Sequence, residues 1–248
     1  MTVVGLFPAE LPEQELASRL NHELTSLSLA LCSLSLVEDQ DWERAWMDDY
    51  KPMCFAGRLW VCPTGMAAAA GDAIIMELDP GLAFGTGTHP TTALCLEWLA
   101  QHDLSGKTLI DYGCGSGILG IAALLLGAER VLGVDNDPQA LTATRDNCHK
   151  NNIDEARFPV YLPGDFAHAL AGGDIGAVDF VLANILAGPL VSLAEYLAAM
   201  TRPDGMILLS GILREQAGDV MAAYANWFSM QEPVYQDDWV RLEGRRES

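Results

Sequence analysis

Glycines and a carboxylate follow an apolar run in the middle of the chain in a spacing that suits ligand binding. The run Thr108 to Ile110 ends on Asp111, and glycines then fall at Gly113, Gly115 and Gly117, ahead of a helix-forming segment. Glycine permits a sharp backbone turn and lets a ligand approach with no Cβ in the way, while the helix behind it offers free N–H groups. The pattern therefore predicts a strand, a glycine turn and a helix that bind a nucleotide-like molecule.

A second carboxylate closes a later apolar run of the chain. Asp135 closes Val-Leu-Gly-Val-Asp, 22 residues beyond Gly113. Because a carboxylate accepts two donors at once, an acidic residue at the end of the second strand is placed to bind both hydroxyls of a ribose. We therefore expect the cofactor to contain a nucleoside.

Two cofactors satisfy this pattern. The spacing Gly115-x-Gly117-x-x-Gly120 matches the dinucleotide fingerprint, which would make the chain a nicotinamide-dependent oxidoreductase, but that match is weak alone. Asp111 at the strand end would repel a pyrophosphate, whereas it would attract the sulfonium and ammonium groups of S-adenosylmethionine. We therefore favour S-adenosylmethionine and methyl transfer, with the oxidoreductase as the alternative.

Two further stretches carry polar groups for such a site. Residues 79–92 contain three glycines, two prolines and four threonines, which predicts a structured loop leading into a helix with Pro90 in its first turn and Thr88 or His89 as cap. Asn184 follows the fourth strand, where its amide oxygen could accept an N–H from a substrate amine. An Asn before a helix is by itself most often a cap, but beside a sulfonium site the amine-orienting role is favoured.

Composition limits the classes of partner. The net charge is −20 with only 14 Lys and Arg, which lacks the basic surface that nucleic-acid binders need. We therefore expect a basic protein or a small molecule as partner, although surface acidity can also serve solubility alone. The six cysteines contain no Cys-x-x-Cys pair, so we expect neither a metal site nor a disulfide framework.

The sequence also predicts a soluble, cytoplasmic protein. Met1 to Phe7 lacks the basic region of a signal peptide, and acidic residues follow at once. The longest apolar stretch, Ile118 to Ala128, contains two glycines and is too short to cross a bilayer, so we expect no membrane contact.

From residue 107 onward the chain alternates apolar strands with helical patterns, which predicts an α/β fold with a mostly parallel sheet covered on both faces. The last two predicted strands, Met230 to Tyr235 and Trp239 to Leu242, are joined without a helix and must form an antiparallel hairpin. Near the N-terminus, a helical pattern from Leu11 to about Leu24 lies between two short apolar runs. Trp42, Trp46 and Tyr50 would then share one face of a second helix.

Together these stretches resemble the methyltransferases of ribosomal protein L11. The resemblance covers about residue 41 to the C-terminus. Its most specific parts are the loop Asp79 to Thr92 and the run Asn184-Ile-Leu-Ala-Gly-Pro-Leu; Asp111 to Gly117 and Asp135 also match. The Trp-Glu-Arg-x-Trp-Met core of the segment Asp41 to Pro63 is similar to the connector of that family.

The resemblance implies a class I methyltransferase domain, Rossmann-like, with a seven-stranded mostly parallel sheet and an antiparallel last strand. It also implies methyl transfer from S-adenosylmethionine to the α-amine and lysine ε-amines of a large-subunit ribosomal protein. By motif position the cofactor contacts would be Thr92, Gly113, Asp135 and Asn184, with Asp111 and Gly115 in the turn and Phe84, Gly85 and Thr86 beside them in the loop up to Thr88.

The implied domain organisation has three parts. Residues 1–40 would be a substrate-recognition segment corresponding to about half of the family's ferredoxin-like N-terminal domain, 41–65 a helical connector and strand, and 66–248 the methyltransferase domain. We expect a monomer. The alternatives are a different protein or small molecule as substrate, and a non-catalytic module that binds the cofactor or the ribosome.

Overall fold

The computed structural model describes residues 7, 11–26, 33–34, 51–66, 73–79 and 87–247. The chain divides into two compact units, Met1–Ala45 and Trp46–Ser248. In the first, helix α1 spans Glu13–Ser26, where the sequence pattern predicts a helix. The predicted aromatic connector helix and most of the apolar runs that flank α1 lie outside the described residues, so the three-part domain organisation stays a prediction.

A small three-stranded sheet opens the second unit. Its strands are β1 Met53–Phe55, β2 Leu59–Cys62 and β3 Ile74–Glu77. Strand β1 pairs antiparallel with β2, which pairs parallel with β3. The side chain of Asn151 binds β3 through both backbone groups of Glu77, accepting from its N–H and donating to its C=O at 2.8 Å each. This pair of bonds holds the small sheet against the main domain.

The main sheet contains eight strands. They are β4 Thr108–Tyr112, β5 Arg130–Val134, β6 Val160–Tyr161, β7 Val178–Asn184, β8 Thr201–Leu213, β9 Phe228–Met230, β10 Val234–Gln236 and β11 Trp239–Arg246. The order is β10-β11-β8-β7-β4-β5-β6, with β9 also paired to β11. All pairs from β6 to β8 are parallel, whereas β11 is antiparallel to β8 and to β10. The predicted fold class, α/β with an antiparallel end, is confirmed.

One predicted strand is divided in the structure. The run Met230 to Tyr235 forms the two short strands β9 and β10, which pair with opposite ends of β11. Pro233 lies between them and has no N–H to donate to a strand ladder. The division at this proline explains why the sheet has eight strands where the pattern predicts seven.

Helices cover both faces of the main sheet. They are α2 Pro90–Gln101, α3 Ile118–Leu125, α4 Pro138–Lys150, α5 Pro163–Gly172, α6 Ala187–Ser192, α7 Ala194–Met200 and α8 Ala217–Tyr224. Proline occupies the first helical turn of α2, α4 and α5, where its missing N–H costs nothing. The segment 187–200 forms two short helices, α6 and α7, and a 3-10 turn, Arg214–Gln216, precedes α8.

Alternate residues of the central strands enter two separate cores. Leu109, Leu182 and Leu208 pack on one face with Trp98 and other side chains of α2 to α4. Their neighbours, among them Ile110, belong to a second cluster on the opposite face with Phe166 and the helices α5 to α8. This alternation is what burial on both faces of a parallel sheet requires.

The chain order creates a crevice at one edge of the sheet. From β4 the chain proceeds to β5 and β6 on one side and then returns to β7 and β8 on the other. Ligands on open α/β sheets bind beyond the carboxyl ends of the strands at such a reversal. The fold therefore places the predicted binding residues that follow β4, β5 and β7 at one crevice.

Packing between α3 and β6 depends on a glycine. A Cβ added to Gly120 in α3 would lie 2.5 Å from Phe158 Cε1 and closer still to its Cζ, whereas a Cβ added to Gly218 in α8 would meet nothing within 4 Å. We expect Gly120→Ala to lower the free energy of unfolding by about 1–3 kcal/mol through overpacking. Gly218→Ala, the matched control, should raise it by up to about 1 kcal/mol because alanine favours the helix.

Urea denaturation of both variants measures these changes. Equal effects of the two substitutions would show that Phe158 moves aside freely and that the contact does not limit packing.

Candidate functional site

A cavity of about 450 Å³ opens at the carboxyl ends of β4, β5 and β7. It is lined by every predicted binding residue that lies in the described part of the chain, namely Thr92, Asp111, Gly113, Gly115, Asp135 and Asn184. The remaining three, Phe84, Gly85 and Thr86, lie outside the described residues. The structure thus brings together six side chains and glycines from four segments, while their roles as ligand contacts stay a prediction.

Backbone hydrogen bonds tie the glycine turn to the second strand. The N–H groups of Gly113 and Cys114 donate to the C=O of Val134 at 2.7 and 3.1 Å. The N–H of Gly115 donates to Asp135 Oδ2 at 2.9 Å. The two strand ends that the sequence analysis singled out are therefore one hydrogen-bonded unit.

Two side chains of helix α4 donate hydrogen bonds to the backbone of the same glycine turn. Thr144 Oγ1 donates to the C=O of Gly115 at 3.0 Å, and Asn147 Nδ2 donates to the C=O of Ser116 at 2.9 Å. Both side chains are buried. Sequence reasoning missed them, although polar residues three apart on the buried face of an otherwise polar helix are a detectable signal.

Asp135 keeps acceptor capacity for a ligand. Its Oδ1 accepts from the N–H of Asp137 at 3.0 Å, and its Oδ2 accepts from Gly115. A carboxylate offers about four acceptor positions, so about two remain for hydroxyl groups. The side chain is partly exposed, as an approaching ligand requires.

Asp111 binds the first turn of α3. Its Oδ2 accepts from the N–H of Gly120 at 2.9 Å, and the residue is buried. Burial is the main cause that raises the pKa of the Asp111 carboxyl to about 7; the charge of Asp135 adds to the increase, and the Gly120 hydrogen bond opposes it. The sequence interpretation treats Asp111 as a free anion, whereas in the structure it is a buried helix-capping group whose raised pKa favours the protonated form more than water does.

Asn184 is held by α2 and leaves one buried atom unpaired. Its Nδ2 donates to Thr92 Oγ1 at 3.3 Å. Its Oδ1 is buried and has no hydrogen-bond partner among the residues that the structure describes. A buried acceptor without a partner costs about 1–3 kcal/mol, so a site that retains one is expected to have a donor from a ligand.

The helix-cap interpretation of Asn184 does not apply. Helix α6 has Leu186 as its N-cap, and no side chain caps it. Asn184 lies two residues earlier, at the last position of β7. The amide oxygen of Asn184 is therefore available to a ligand.

The start of α2, which carries Thr92, is fixed by its own contacts. His89 is the N-cap, with Nδ1 2.8 Å from Thr91 Oγ1, and its ring meets the Trp239 ring edge to face at a centroid distance of 4.8 Å. From β8, Ser210 Oγ donates to the C=O of Thr91 at 3.1 Å. These contacts place Thr92 beside Asn184, and His89 is one of the two caps that the sequence predicts.

Apolar side chains complete the cavity. Leu186, Pro189 and Leu193 line it from the β7–α7 region, and Leu186 is 70% exposed. An acidic pair, an unpaired amide oxygen and an apolar wall suit a ligand that combines an aromatic base, a ribose and a positively charged group.

The described residues contain no group of three or more His, Cys, Asp or Glu side chains that could hold a metal ion. Within the same part of the chain, no helix is long and apolar enough to cross a membrane.

A family profile, several sequence relatives and one solved structure carry the same description. The family profile "Ribosomal protein L11 methyltransferase (PrmA)" matches residues 1–247. A protein named ribosomal protein L11 methyltransferase from Marinobacter nauticus is 54% identical, over 99% of this chain and 81% of that protein. A protein of the same name from Pseudomonas aeruginosa is 53% identical, over 98% of this chain and 80% of that protein.

A crystal structure of ribosomal protein L11 methylase from Lactobacillus delbrueckii subsp. bulgaricus matches with a TM-score of 0.68. It is 32% identical and covers 80% of this chain and 100% of that one. The resemblance inferred from the loop, the glycine turn, Asp135 and Asn184 is thus confirmed at the level of the family. The chain belongs to the ribosomal protein L11 methyltransferase family.

Proposed function

We propose that this chain is an S-adenosylmethionine-dependent methyltransferase that methylates amino groups of ribosomal protein L11. Membership of the L11 methyltransferase family and the class I methyltransferase fold support the reaction and the methyl donor. The observation that carries the proposal is the unpartnered Asn184 Oδ1 in the same cavity as Asp111 and Asp135.

The cavity residues fit S-adenosylmethionine. Asp135 would hold the ribose hydroxyls with its remaining acceptor positions. Gly113 and Gly115 would let the backbone approach the ligand, and Asp111 would favour its positive charge. When bound, this cofactor supplies a methyl group that a sulfonium has already activated.

The chain's own contribution to transfer is orientation. Asn184 Oδ1 would accept an N–H from the incoming amine and so direct the nitrogen lone pair, while Thr92 fixes the amide from its other end. Because the amine must be neutral to react, it has to lose a proton first, but the displacement itself needs no strong base. The main demands on the protein are alignment and exclusion of water.

The proposed substrate is a basic protein. The substrate amines are the α-amine and lysine ε-amines of L11, and the net charge of −20 supports attraction of a basic protein. Residues 1–40 would contribute to recognition. We further propose a cytoplasmic monomer that makes no direct contact with nucleic acid or membrane.

Transfer to L11 tests the proposal directly. We expect the full chain to move labelled methyl groups from S-adenosylmethionine to purified L11, with the modified amines identified by mass spectrometry. Asn184→Ala should lower kcat by about 100-fold, since a misaligned amine loses the benefit of orientation. The exposed Asn226, at the opposite edge of the sheet, provides the control Asn226→Ala.

Absence of transfer by the wild-type chain would contradict the proposal. Methylation of only other proteins or of small molecules in a cell extract would instead support the alternative substrates.

Cofactor affinity should depend on Asp135. We expect Asp135→Ala to weaken binding of S-adenosylhomocysteine by about 1.5–3 kcal/mol, the range for hydrogen bonds to a charged group. Calorimetry measures this, with Asp219→Ala on the exposed face of α8 as the control. Unchanged affinity would mean that another residue binds the ribose.

Affinity should also vary with pH because the pKa of Asp111 is raised to about 7. A cationic ligand favours the ionised carboxylate, so S-adenosylmethionine should bind more tightly as the pH rises from 6 to 8, by at most about tenfold per pH unit, and should displace protons. Calorimetry in buffers of different ionisation enthalpy detects those protons. Asp111→Asn should remove the dependence; its persistence in that variant would assign it to another group.

The same raised pKa acts on folding with the opposite sign. The folded state binds this proton more tightly than the unfolded state, so the contribution of Asp111 to stability is largest below pH 4 and is lost as the pH rises through 7.

A further inference from the structure

Ile185, the residue after Asn184, lies between a glycine inside β8 and a glycine directly after β4. Strand β7 runs between β8 and β4, so the residue that follows it is flanked by Gly211 on one side and Gly113 on the other. Both glycines have φ of +82°, a left-handed conformation that other residues adopt only with strain. We call this pair the glycine seat.

The missing side chains of the seat leave room for Ile185. A Cβ added to Gly211 would lie 2.8 Å from the carbonyl carbon and 3.1 Å from the nitrogen of Ile185, and closer still to its oxygen. A Cβ added to Gly113 would overlap Ile185 Cγ2. One glycine therefore makes room for the Ile185 backbone and the other for its side chain.

The position of Ile185 bears directly on Asn184. The register of β7 and β8 ends with the pair Asn184 and Ser210, immediately before Ile185 and Gly211. Beyond this pair the direction of the chain depends on how closely Ile185 can approach the two glycines. A displaced Ile185 would rotate the Asn184 peptide and move the buried Oδ1 relative to Thr92.

We propose that Gly211, with Gly113 as the second half of the seat, is a positioning residue for Asn184. This inference rests on the proposed function, in which Asn184 orients the substrate amine. Gly211 does not line the cavity, whereas Ile185 does, so we expect Gly211 to act through Ile185. None of the sequence patterns considered above identifies it.

A simpler role for Gly211 is conformational, since any left-handed residue favours glycine. Gly173 separates the two roles. It caps the end of α5 with φ of +79°, and a Cβ added there would meet nothing within 4 Å. Gly173→Ala therefore introduces the same backbone strain without a contact.

The first experiment compares Gly211→Ala with Gly173→Ala in the full chain. We expect both to lower the melting temperature, but only Gly211→Ala to lower kcat for L11 methylation, by about 100-fold through misalignment. Affinity for S-adenosylhomocysteine should change by less than about tenfold in both variants. Equal kcat values in the two variants would overturn the inference.

A spectroscopic signal makes the test independent of the substrate. The side-chain amide of Asn184 can be assigned in a ¹⁵N spectrum by its loss in Asn184→Ala. It should shift in Gly211→Ala and stay in place in Gly173→Ala. If the wild-type chain does not methylate L11 but the amide shifts as expected, the proposed function fails while the seat stands; an unmoved amide rejects the seat alone.

A second pair of variants tests the other half of the seat and does not require Gly211→Ala to fold. Ile185→Ala removes Cγ2, so it should restore part of the kcat lost in Gly113→Ala. It should restore none of the kcat lost in Gly211→Ala, because that clash involves backbone atoms. The absence of any rescue of Gly113→Ala would contradict the seat.

Discussion

The hydrogen bond between Asn184 and Thr92 is the interaction on which the site depends. It joins the end of a central strand to the start of a helix that lies 92 residues earlier in the chain. It also orients the amide, because the donor nitrogen is used by Thr92 and the acceptor oxygen is left buried without a partner in the described structure. An unpaired acceptor is costly in a folded protein, and a site that keeps one in a fixed direction is prepared for a donor from outside.

The charged side chains of the cavity also suit a ligand that supplies hydrogen-bond donors. Two carboxylates, Asp111 and Asp135, line the same cavity, and burial together with the charge of Asp135 raises the pKa of the Asp111 carboxyl. A bound cation would relieve the repulsion between the two carboxylates. A ligand that brings both a positive charge and hydroxyl groups satisfies both residues, whereas a pyrophosphate would oppose them.

The sequence predicts those residues of the site that lie at the carboxyl ends of strands. Gly113, Asp135 and Asn184 each follow an apolar run, and the carboxyl ends of parallel strands necessarily meet at one edge of the sheet. Whether Asn184 caps a helix or faces a ligand depends on where α6 begins, and that start is fixed by tertiary packing. The helix-capping bond of Asp111 and the supporting bonds of Thr144 arise in the same way from contacts between distant segments. The division of the predicted strand Met230 to Tyr235 could have been predicted from the sequence, because Pro233 cannot donate a hydrogen bond within a strand ladder.

Of the two glycines beside Ile185, a local sequence pattern identifies only Gly113. Gly113 belongs to a recognisable turn, so its lack of a side chain has an evident purpose. Gly211 lies inside β8 and belongs to no recognised glycine motif, and its purpose appears only when the position of a Cβ there is compared with the backbone of Ile185. Contact with backbone atoms cannot be relieved by a change of rotamer, so the Gly211 contact is the stricter of the two constraints. The direction of the Asn184 amide is thus limited by a residue that does not itself line the cavity.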